Sequence, residues 1–120
     1  MPQLDALSLA QAWIAAFNAH DVDALVALYA PEATHTSPKI RAQHPETGGR
    51  LVGRDALERW WRESNARVQG LRYEPTGYTA DAGRVIIEYV RHAPGQADMP
   101  VAEAFDVRDG RIVASRVYHG

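Results

Sequence analysis

The sequence predicts an α+β domain in which three N-terminal helices pack on one face of a curved antiparallel β-sheet. Apolar residues recur at helical spacing in three segments of the first 67 residues. Alternating segments typical of strands then follow one another from residue 71 onwards. The third observation is Asp109-Gly110, which favours a tight hairpin turn because glycine adopts a positive φ without steric cost. A sheet that curls around helices in this way leaves a cone-shaped cavity.

Two consecutive helices are predicted at the start of the chain. In residues 8–19, Trp13 and other apolar residues lie on one face, and Ser8 is the expected N-cap. The second helix begins after Asp21 and continues to Pro31, because proline lacks the N–H group that a helix interior needs. The connection is so short that the two helices must pack closely against each other.

A short strand and an irregular segment follow the second helix. Residues 33–37 have the mixed polarity of a short strand, on which His35 and Ser37 share a face. Residues 38–53 contain two prolines and three glycines and show no sustained period. We therefore expect a long irregular segment there, of the kind that is often functional or mobile.

The third helix and four strands complete the chain. The helix is predicted from about residue 54 to residue 67, with Trp60 and Trp61 on its inner side. Residues 71–79 and 84–91 form two strands joined by a short turn. The last twenty residues form the hairpin that closes the antiparallel sheet.

The composition is that of one domain spanning residues 1–120, with 46% hydrophobic and 23% charged residues. The absence of cysteine excludes a disulfide framework and a thiolate metal site, and we expect a cytoplasmic protein. No apolar run reaches the roughly 18 residues of a membrane span. The net charge of −2 leaves no basic footprint, so we expect neither nucleic acid nor a membrane as a partner.

Strand alternation brings two titratable residues onto one apolar face of the final hairpin. Glu103 shares a side of the first arm with Val101 and Phe105, and His119 shares a side of the second arm with Val117. Burial among apolar residues disfavours an ionised carboxylate, so we expect the pKa of Glu103 to lie above its ordinary value. Glu103 and His119 are therefore candidates for proton transfer.

Structural roles for the same residues stay open at this point. Arg91 is the cavity-side residue that would pair with Glu103 and lower the carboxyl pKa instead. His119 is close to the C-terminus and is alternatively solvated there. His44 becomes a candidate only if the irregular segment folds over the cavity.

Three stretches of the chain, residues 17–34, 53–57 and 108–112, together with Val117 and Tyr118, resemble the nuclear transport factor 2-like superfamily. This superfamily includes ketosteroid isomerase, limonene epoxide hydrolase and the SnoaL-like polyketide cyclases. The resemblance covers nearly the whole chain, but its motifs are a helix turn, a helix start and a hairpin. It therefore implies the fold and leaves the function to the site.

The isomerase pattern is carried over in one of three roles. Its aspartate base falls on Ser37, which precedes Pro38, and its tyrosine donor on the first helix falls on Trp13. Its protonated aspartate falls near Glu103. Steroid isomerisation by that chemistry is therefore not expected, and no strand reproduces the epoxide hydrolase signature of an arginine between two aspartates.

The resemblance also implies which side chains line the cavity. One face of each strand faces inward, which agrees with the alternation of the sequence, and tryptophans of the helices close the cone. The candidate catalytic residues are Glu103, His35 and His119. The candidate ligand-binding residues are Ser37, Tyr89, Arg91, Trp13, Trp60, Val101, Phe105 and Val117.

Two functions of different classes fit these residues. The first is a cofactor-independent enzyme of the isomerase, cyclase or hydrolase type, which acts on a small, mainly apolar ligand through Glu103 and His35 or His119. The second is a non-catalytic ligand-binding or accessory dimeric protein. A metal held by the two histidines and Glu103 is a further alternative, although the fold generally works without metals. A cavity filled by the tryptophans would favour a purely structural role.

The outer face of the sheet is predicted to meet a second copy of the chain. A sheet with helices on one side leaves its other face either wet or covered, and small apolar residues with few charges favour cover. The superfamily that the chain resembles often forms dimers in this way. The residues concerned are Ile86, Val90, Ala102, Ala104, Ala114 and Tyr118.

Overall fold

Four α-helices lie against a six-stranded sheet in the structure, a computed structural model that describes residues 5–119. The helices are α1 (Ala6–Asn18), α2 (Val22–Val26), α3 (Pro38–Gln43) and α4 (Arg54–Arg67). The strands are β1 (Tyr29–Thr36), β2 (Arg50–Val52), β3 (Arg72–Ala80), β4 (Arg84–His92), β5 (Met99–Arg108) and β6 (Arg111–His119). The predicted α+β class, with helices packed on a curved sheet, is confirmed.

The strand order in the sheet is β2-β1-β6-β5-β4-β3. Neighbouring strands are antiparallel except β1 and β6, which run parallel. This one parallel pair places His35 beside Ser115, eighty residues later in the chain. None of the helices within residues 5–119 has the length and apolar character that crossing a membrane requires.

Helix α1 begins earlier than the sequence predicted. Its N-cap is Asp5, whose Oδ1 accepts a hydrogen bond of 2.7 Å from the backbone N–H of Ser8. Ser8 is therefore inside the first turn, and its expected role as the cap was wrong. Aspartate and serine both cap helices by this bond, so spacing alone did not separate the two positions.

The second helix is shorter than predicted, and Pro31 is not the residue that ends it. Helix α2 ends at Val26, and Pro31 lies inside β1. The N–H of Ile112 on β6 donates to the carbonyl of Leu28, and the neighbouring Tyr29 is fully buried. The pairing of β1 with β6 is irregular between residues 29 and 34, so the missing N–H of proline is accommodated there. Pairing with a distant strand thus outweighed the local helical pattern.

The segment at residues 38–53 is ordered, which corrects the prediction of an irregular connection. Ser37 caps α3 by accepting a 3.2 Å hydrogen bond from the N–H of Lys39, and Pro38 occupies the first turn. Ile40, on the inner side of α3, is fully buried. The short strand β2 pairs with β1. A serine followed by proline is a favourable helix start, so the sequence did carry this signal.

The third predicted helix and the final hairpin are confirmed. Helix α4 has the predicted bounds, and its inner side is buried. At the hairpin turn, Asp109 has a φ of 53° and Gly110 a φ of 73°, the positive values that a primed turn requires. The hairpin places Glu103 opposite Val117 on the inner face of the sheet.

Candidate functional site

A cavity of about 50 Å³ lies between the helices and the inner face of the sheet. Helices α1 and α4 supply most of its aromatic wall, and its polar groups come from the strands and from α3 and α4. It is lined by Trp13, Phe17, His35, Ser37, Lys39, Trp60, Trp61, Ser64, Arg67, Val68, Leu71, Tyr73, Tyr89, Arg91, Val101, Glu103, Val117 and His119.

Glu103 is a buried carboxyl group with only one of its two oxygens satisfied. The side chain is 1% exposed, and Oε1 accepts a 2.9 Å hydrogen bond from the Tyr89 hydroxyl. Oε2 has no hydrogen-bond partner among residues 5–119. Burial raises the pKa of Glu103 to about 8, although the Tyr89 hydroxyl acts in the opposite direction. The expected rise is confirmed, and the group is protonated at neutral pH.

Arg91 does not pair with Glu103, so the ion pair that the structural alternative required with this arginine is not formed. Glu103 on β5 is opposite Ile87 of β4, whereas Arg91 of β4 is opposite Met99 of β5. Four residues along a strand correspond to about 13 Å. The Arg91 guanidinium instead donates from Nη1 to Oε1 of Gln96 at 2.9 Å.

His35 is the second buried titratable group in the cavity wall. It is 3% exposed, and its Nδ1 lies 2.6 Å from the Ser115 hydroxyl. Its ring centroid is 5.1 Å from that of Trp61. Burial lowers the pKa of His35 to about 4, so the imidazole is neutral at physiological pH. The described residues use only Nδ1 for hydrogen bonding, which leaves Nε2 available to a molecule in the cavity.

The sheet sets the separation between His35 and Glu103. His35 is opposite Ser115 and Glu103 is opposite Val117, on the two sides of β6. Two strand spacings correspond to about 10 Å, so the two groups line one cavity without touching each other. This separation leaves room for a small molecule between an acid and a base.

Phe105 does not line the cavity as expected, whereas His119 lines it and is also exposed, as its position near the C-terminus allowed. His119 is opposite Val101 at the end of β6 and is exposed at the cavity mouth. Partial burial lowers the pKa of His119, and the positive charges of Lys39 and Arg91 lower it further. Phe105 is fully buried with its ring 5.2 Å from that of Trp13, and it packs in the core without lining the cavity.

The remaining candidates divide between lining and other roles. Trp13 lines the cavity and donates from Nε1 to the Tyr29 hydroxyl at 2.9 Å, and Ser37 both lines it and caps α3. His44 lies outside this cavity, where its ring is 3.2 Å from the Glu63 carboxylate. Within residues 5–119 no three histidine, aspartate or glutamate side chains are grouped as a metal site would require.

The sequence interpretation missed several lining residues. Tyr73 is stacked between Phe17, at 3.8 Å, and Tyr89, at 4.2 Å between ring centroids. It was predictable, because Tyr73 is opposite Arg91 and lies on the same face. Lys39 was missed because its segment was predicted to be irregular, and Arg67 because it is the last residue of α4.

Several solved structures share this fold. A SnoaL-like protein of unknown function from Burkholderia thailandensis is 31% identical, with a TM-score of 0.85 over 96% of this chain and 93% of that one. TerC, co-crystallised with polyporic acid, is 17% identical, with a TM-score of 0.82 over 96% of this chain and 91% of that one. A protein with a ketosteroid isomerase-like fold from Catenulispora acidiphila, in complex with trimethylamine, is 23% identical, with a TM-score of 0.74 over 92% and 83%.

The sequence comparisons identify the family. No curated protein sequence matches the chain significantly. The model of the SnoaL-like domain matches residues 10–115, which include every candidate site residue except Val117 and His119. Because this match spans most of the chain, the protein belongs to the family of SnoaL-like domains.

Proposed function

We propose that the cavity binds a small organic molecule and that the protein catalyses proton transfer at its carbonyl group without a cofactor. The observation that carries this proposal is the state of Glu103. Its carboxyl group is buried, keeps its proton at neutral pH and has, among the described residues, no hydrogen-bond partner for one oxygen in the cavity wall. A neutral acid in this environment donates a strong hydrogen bond to an oxygen on which negative charge develops.

The proposed step uses Glu103 as the acid and His35 as the base. His35 Nε2 accepts a proton from the carbon next to the carbonyl, while Glu103 Oε2 donates its proton to the carbonyl oxygen. The products are an enol, an imidazolium and a carboxylate. Return of the enol proton to Glu103 and of a proton from His35 to carbon, at the original or a conjugated position, exchanges the hydrogen or isomerises the ligand. Tyr89 stabilises the carboxylate through its 2.9 Å hydrogen bond.

The aromatic wall is suited to a flat, mainly apolar ligand. The rings of Trp13, Tyr73 and Tyr89 form a stacked group beside Glu103. The volume of about 50 Å³ is well below the roughly 150 Å³ of an apolar cavity that binds benzene. A ligand larger than a few heavy atoms therefore requires movement of these rings. Binding of a small molecule agrees with the complexes of TerC and of the Catenulispora protein.

Deuterium exchange tests this function. We expect the protein to catalyse exchange of the α-protons of butanone and 4-oxopentanoate in deuterated buffer, followed by proton NMR. Glu103→Gln should lower the rate at least about 100-fold, because the acid contributes that much to proton transfer. The rate should also fall as the pH rises through about 8, where Glu103 loses its proton.

The control for this experiment is Glu32→Gln, because Glu32 is exposed on β1 and has no side-chain contact with the cavity. Its exchange rate should equal that of the wild type. Ligand binding without Glu103-dependent exchange would contradict catalysis and favour the alternative function, a non-catalytic binding protein. The specific observation that favours this alternative is Ser37, which stands where the isomerase pattern has its base and caps α3 instead.

We also propose that the outer face of the sheet forms a homodimer. Ile86 and Tyr118 are 38% and 56% exposed there. The neighbouring Asp106 bonds Arg84 and Arg116 at 2.9 Å. Glu88 on the same face balances the second arginine, so the formal charges of these four residues cancel. A neutral face with exposed apolar residues is suited to burial against a second copy.

Sedimentation tests the dimer. The wild type should sediment with twice the mass of one chain at micromolar concentration, and Ile86→Glu should shift it to the monomer because it places a charge in the interface. Leu7→Glu is the matched control, since Leu7 is 40% exposed on α1, away from the outer face of the sheet. A wild-type monomer would contradict the proposal.

A further inference from the structure

Three cationic side chains, Lys39, Arg67 and Arg91, line the cavity together with the buried acid. We call them the cationic collar. Within residues 5–119 none of them takes part in a salt bridge, although eight other ion pairs are formed. The collar therefore differs from Arg62, Arg84 and Arg116, which pair with carboxylates in the same described part of the chain.

Arg91 is the most unusual member of the collar. Its side chain is 5% exposed, and its side-chain hydrogen bond within the described residues goes to the neutral amide of Gln96. A buried charge without a counter-charge is costly unless other groups solvate it. Arg67 likewise has no acidic partner in the described part of the chain, and its guanidinium carbon lies 5.5 Å from the centroid of the Trp60 ring.

The three charges act on one another. Burial lowers the pKa of Lys39, and the positive charges of Arg91 and Arg67 lower it further. The same collar acts on His119 at the mouth, where Lys39 and Arg91 lower the pKa of the imidazole after burial. These effects place Lys39, Arg67, Arg91 and His119 within electrostatic reach of a common space.

The other titratable groups of the cavity do not offset this charge. Glu103 is neutral because its pKa is about 8, and His35 is neutral because its pKa is about 4. The cavity is thus positive at neutral pH in a chain whose net charge is −2. A local positive potential in a chain of opposite net charge selects anions.

We propose that the ligand of this cavity is a small organic carboxylate, whose charged end binds the cationic collar and whose carbonyl end meets Glu103. This inference rests on the proposed function for the binding of a ligand and adds its chemical class. Arg91 and Glu103 project into the cavity from positions about four residues apart along the sheet, a distance of about 13 Å between backbones. Both side chains extend from these positions into the same cavity, which shortens the gap between their polar ends. The ligand therefore needs only a few carbon atoms between its carboxylate and its carbonyl group.

The direct test compares crotonate with crotonamide, which have nearly the same shape and differ in charge. Binding is followed through the indole N–H signals of the tryptophans in the cavity wall by NMR. Crotonate should bind at least about tenfold more tightly at low salt, because charge-assisted hydrogen bonds are stronger than neutral ones. The difference should shrink as sodium chloride is added. Equal affinities, a preference for crotonamide, or no saturable response to crotonate would overturn the inference.

Variants of the collar identify the residues responsible. Lys39→Gln and Arg67→Gln should each weaken crotonate binding several-fold and leave crotonamide binding unchanged. Lys39 is half-buried and Arg67 is exposed, so their substitution does not depend on repacking of the core. Arg91→Gln adds the buried position if it folds. Arg59→Gln is the matched control, because Arg59 is exposed on the same helix as Arg67 and does not line the cavity. Unchanged crotonate binding in both Lys39→Gln and Arg67→Gln would overturn the assignment.

The same samples separate this inference from the proposed catalysis. Glu103→Gln should lower the exchange rate at least about 100-fold yet keep the preference for crotonate over crotonamide, because the collar is intact. Loss of exchange in this variant without a preference for crotonate in the wild type would support the catalytic proposal and overturn the anionic ligand. A preference for crotonate without exchange would support the anionic ligand and contradict catalysis.

Discussion

The free energy of unfolding is expected to stay nearly constant from about pH 4.5 to 6.5 and to fall from about pH 6.5 to 8, as far as Glu103 and His35 determine it. Both groups are almost fully buried, so solvent does not screen their environments strongly. The pKa of Glu103 is raised above the ordinary value of a glutamic acid, and the pKa of His35 is lowered below the ordinary value of a histidine. The two contributions therefore have opposite slopes where they overlap.

Glu103 makes the protein less stable as the pH rises. Its pKa is about 8 in the folded state against an ordinary value of 4.5, so between these values only the folded state holds the proton. Stability then falls by about 1.4 kcal/mol per pH unit, by roughly 5 kcal/mol in total. The contribution is fully present below pH 4.5 and is lost as the pH rises through about 8.

His35 has the reverse effect. Its pKa is about 4 in the folded state against an ordinary value of 6.5, so between these values only the unfolded state holds the proton. Stability rises with pH across this window, at about the same rate per unit. This rise cancels the fall in stability caused by Glu103 between about pH 4.5 and 6.5. Above pH 6.5 only the fall caused by Glu103 remains.

Urea denaturation at a series of pH values measures both contributions. In Glu103→Gln the free energy of unfolding should no longer fall between pH 6.5 and 8. In His35→Gln it should fall throughout pH 4.5 to 8, because the compensating slope is gone. Glu32→Gln, an exposed control, should follow the wild type. Parallel profiles for the wild type and Glu103→Gln would show that Glu103 is ionised in the folded protein and would remove the basis of its role as an acid.

Trp13→Ala is expected to lower the free energy of unfolding by about 3 to 5 kcal/mol, the range for removal of a large buried aromatic side chain. Trp13 is 1% exposed. Its ring lies 5.4 Å from that of Phe17 and 5.2 Å from that of Phe105. The substitution also removes the hydrogen bond from Trp13 Nε1 to the buried Tyr29 hydroxyl.

Denaturant unfolding of three variants separates these terms. Trp13→Phe keeps an aromatic ring and loses the bond to Tyr29, so we expect an intermediate loss of about 1 to 3 kcal/mol. Leu7→Ala is the control on the same helix, because Leu7 is 40% exposed and should contribute little. A loss below about 1 kcal/mol for Trp13→Ala would mean that the cavity tolerates an open wall and that Trp13 is not part of the core.

The buried acid has a cost that its surroundings do not remove. An apolar residue at position 103 would avoid the fall in stability towards pH 8, and the neighbouring Val101 and Val117 would pack against it. The described residues provide one hydrogen bond to Glu103 where a carboxyl group can form several. Retention of such a group in the cavity wall supports a role towards a ligand.

Local patterns in the sequence were sufficient for much of the fold. The bounds of α4, the strands β3 and β4, and the Asp109-Gly110 turn followed from periodicity and glycine geometry. Alternation also placed Glu103 on the buried face and gave the correct direction for its pKa. These features depend on residues close together in the chain, whose periodicity the sequence displays directly.

Other features depended on contacts between distant segments. Pro31 entered a strand because β1 pairs with β6, and the helix α3 formed where Ile40 could be buried. The register between β4 and β5 kept Arg91 away from Glu103, which no composition or spacing indicated. The cationic collar likewise joins the first turn of α3, the end of α4 and the end of β4.

The sequence by itself determined the fold class, the inward face of the final hairpin and the burial of Glu103, because strand alternation and turn chemistry are local properties. Only the tertiary structure decided that His35 and Glu103 face one cavity while His119 stays at its mouth and Phe105 behind its wall. The physical reason is the parallel pairing of β1 with β6, which joins residues eighty positions apart. Such long-range pairing is fixed by the packing of the whole chain and leaves no local pattern in the sequence.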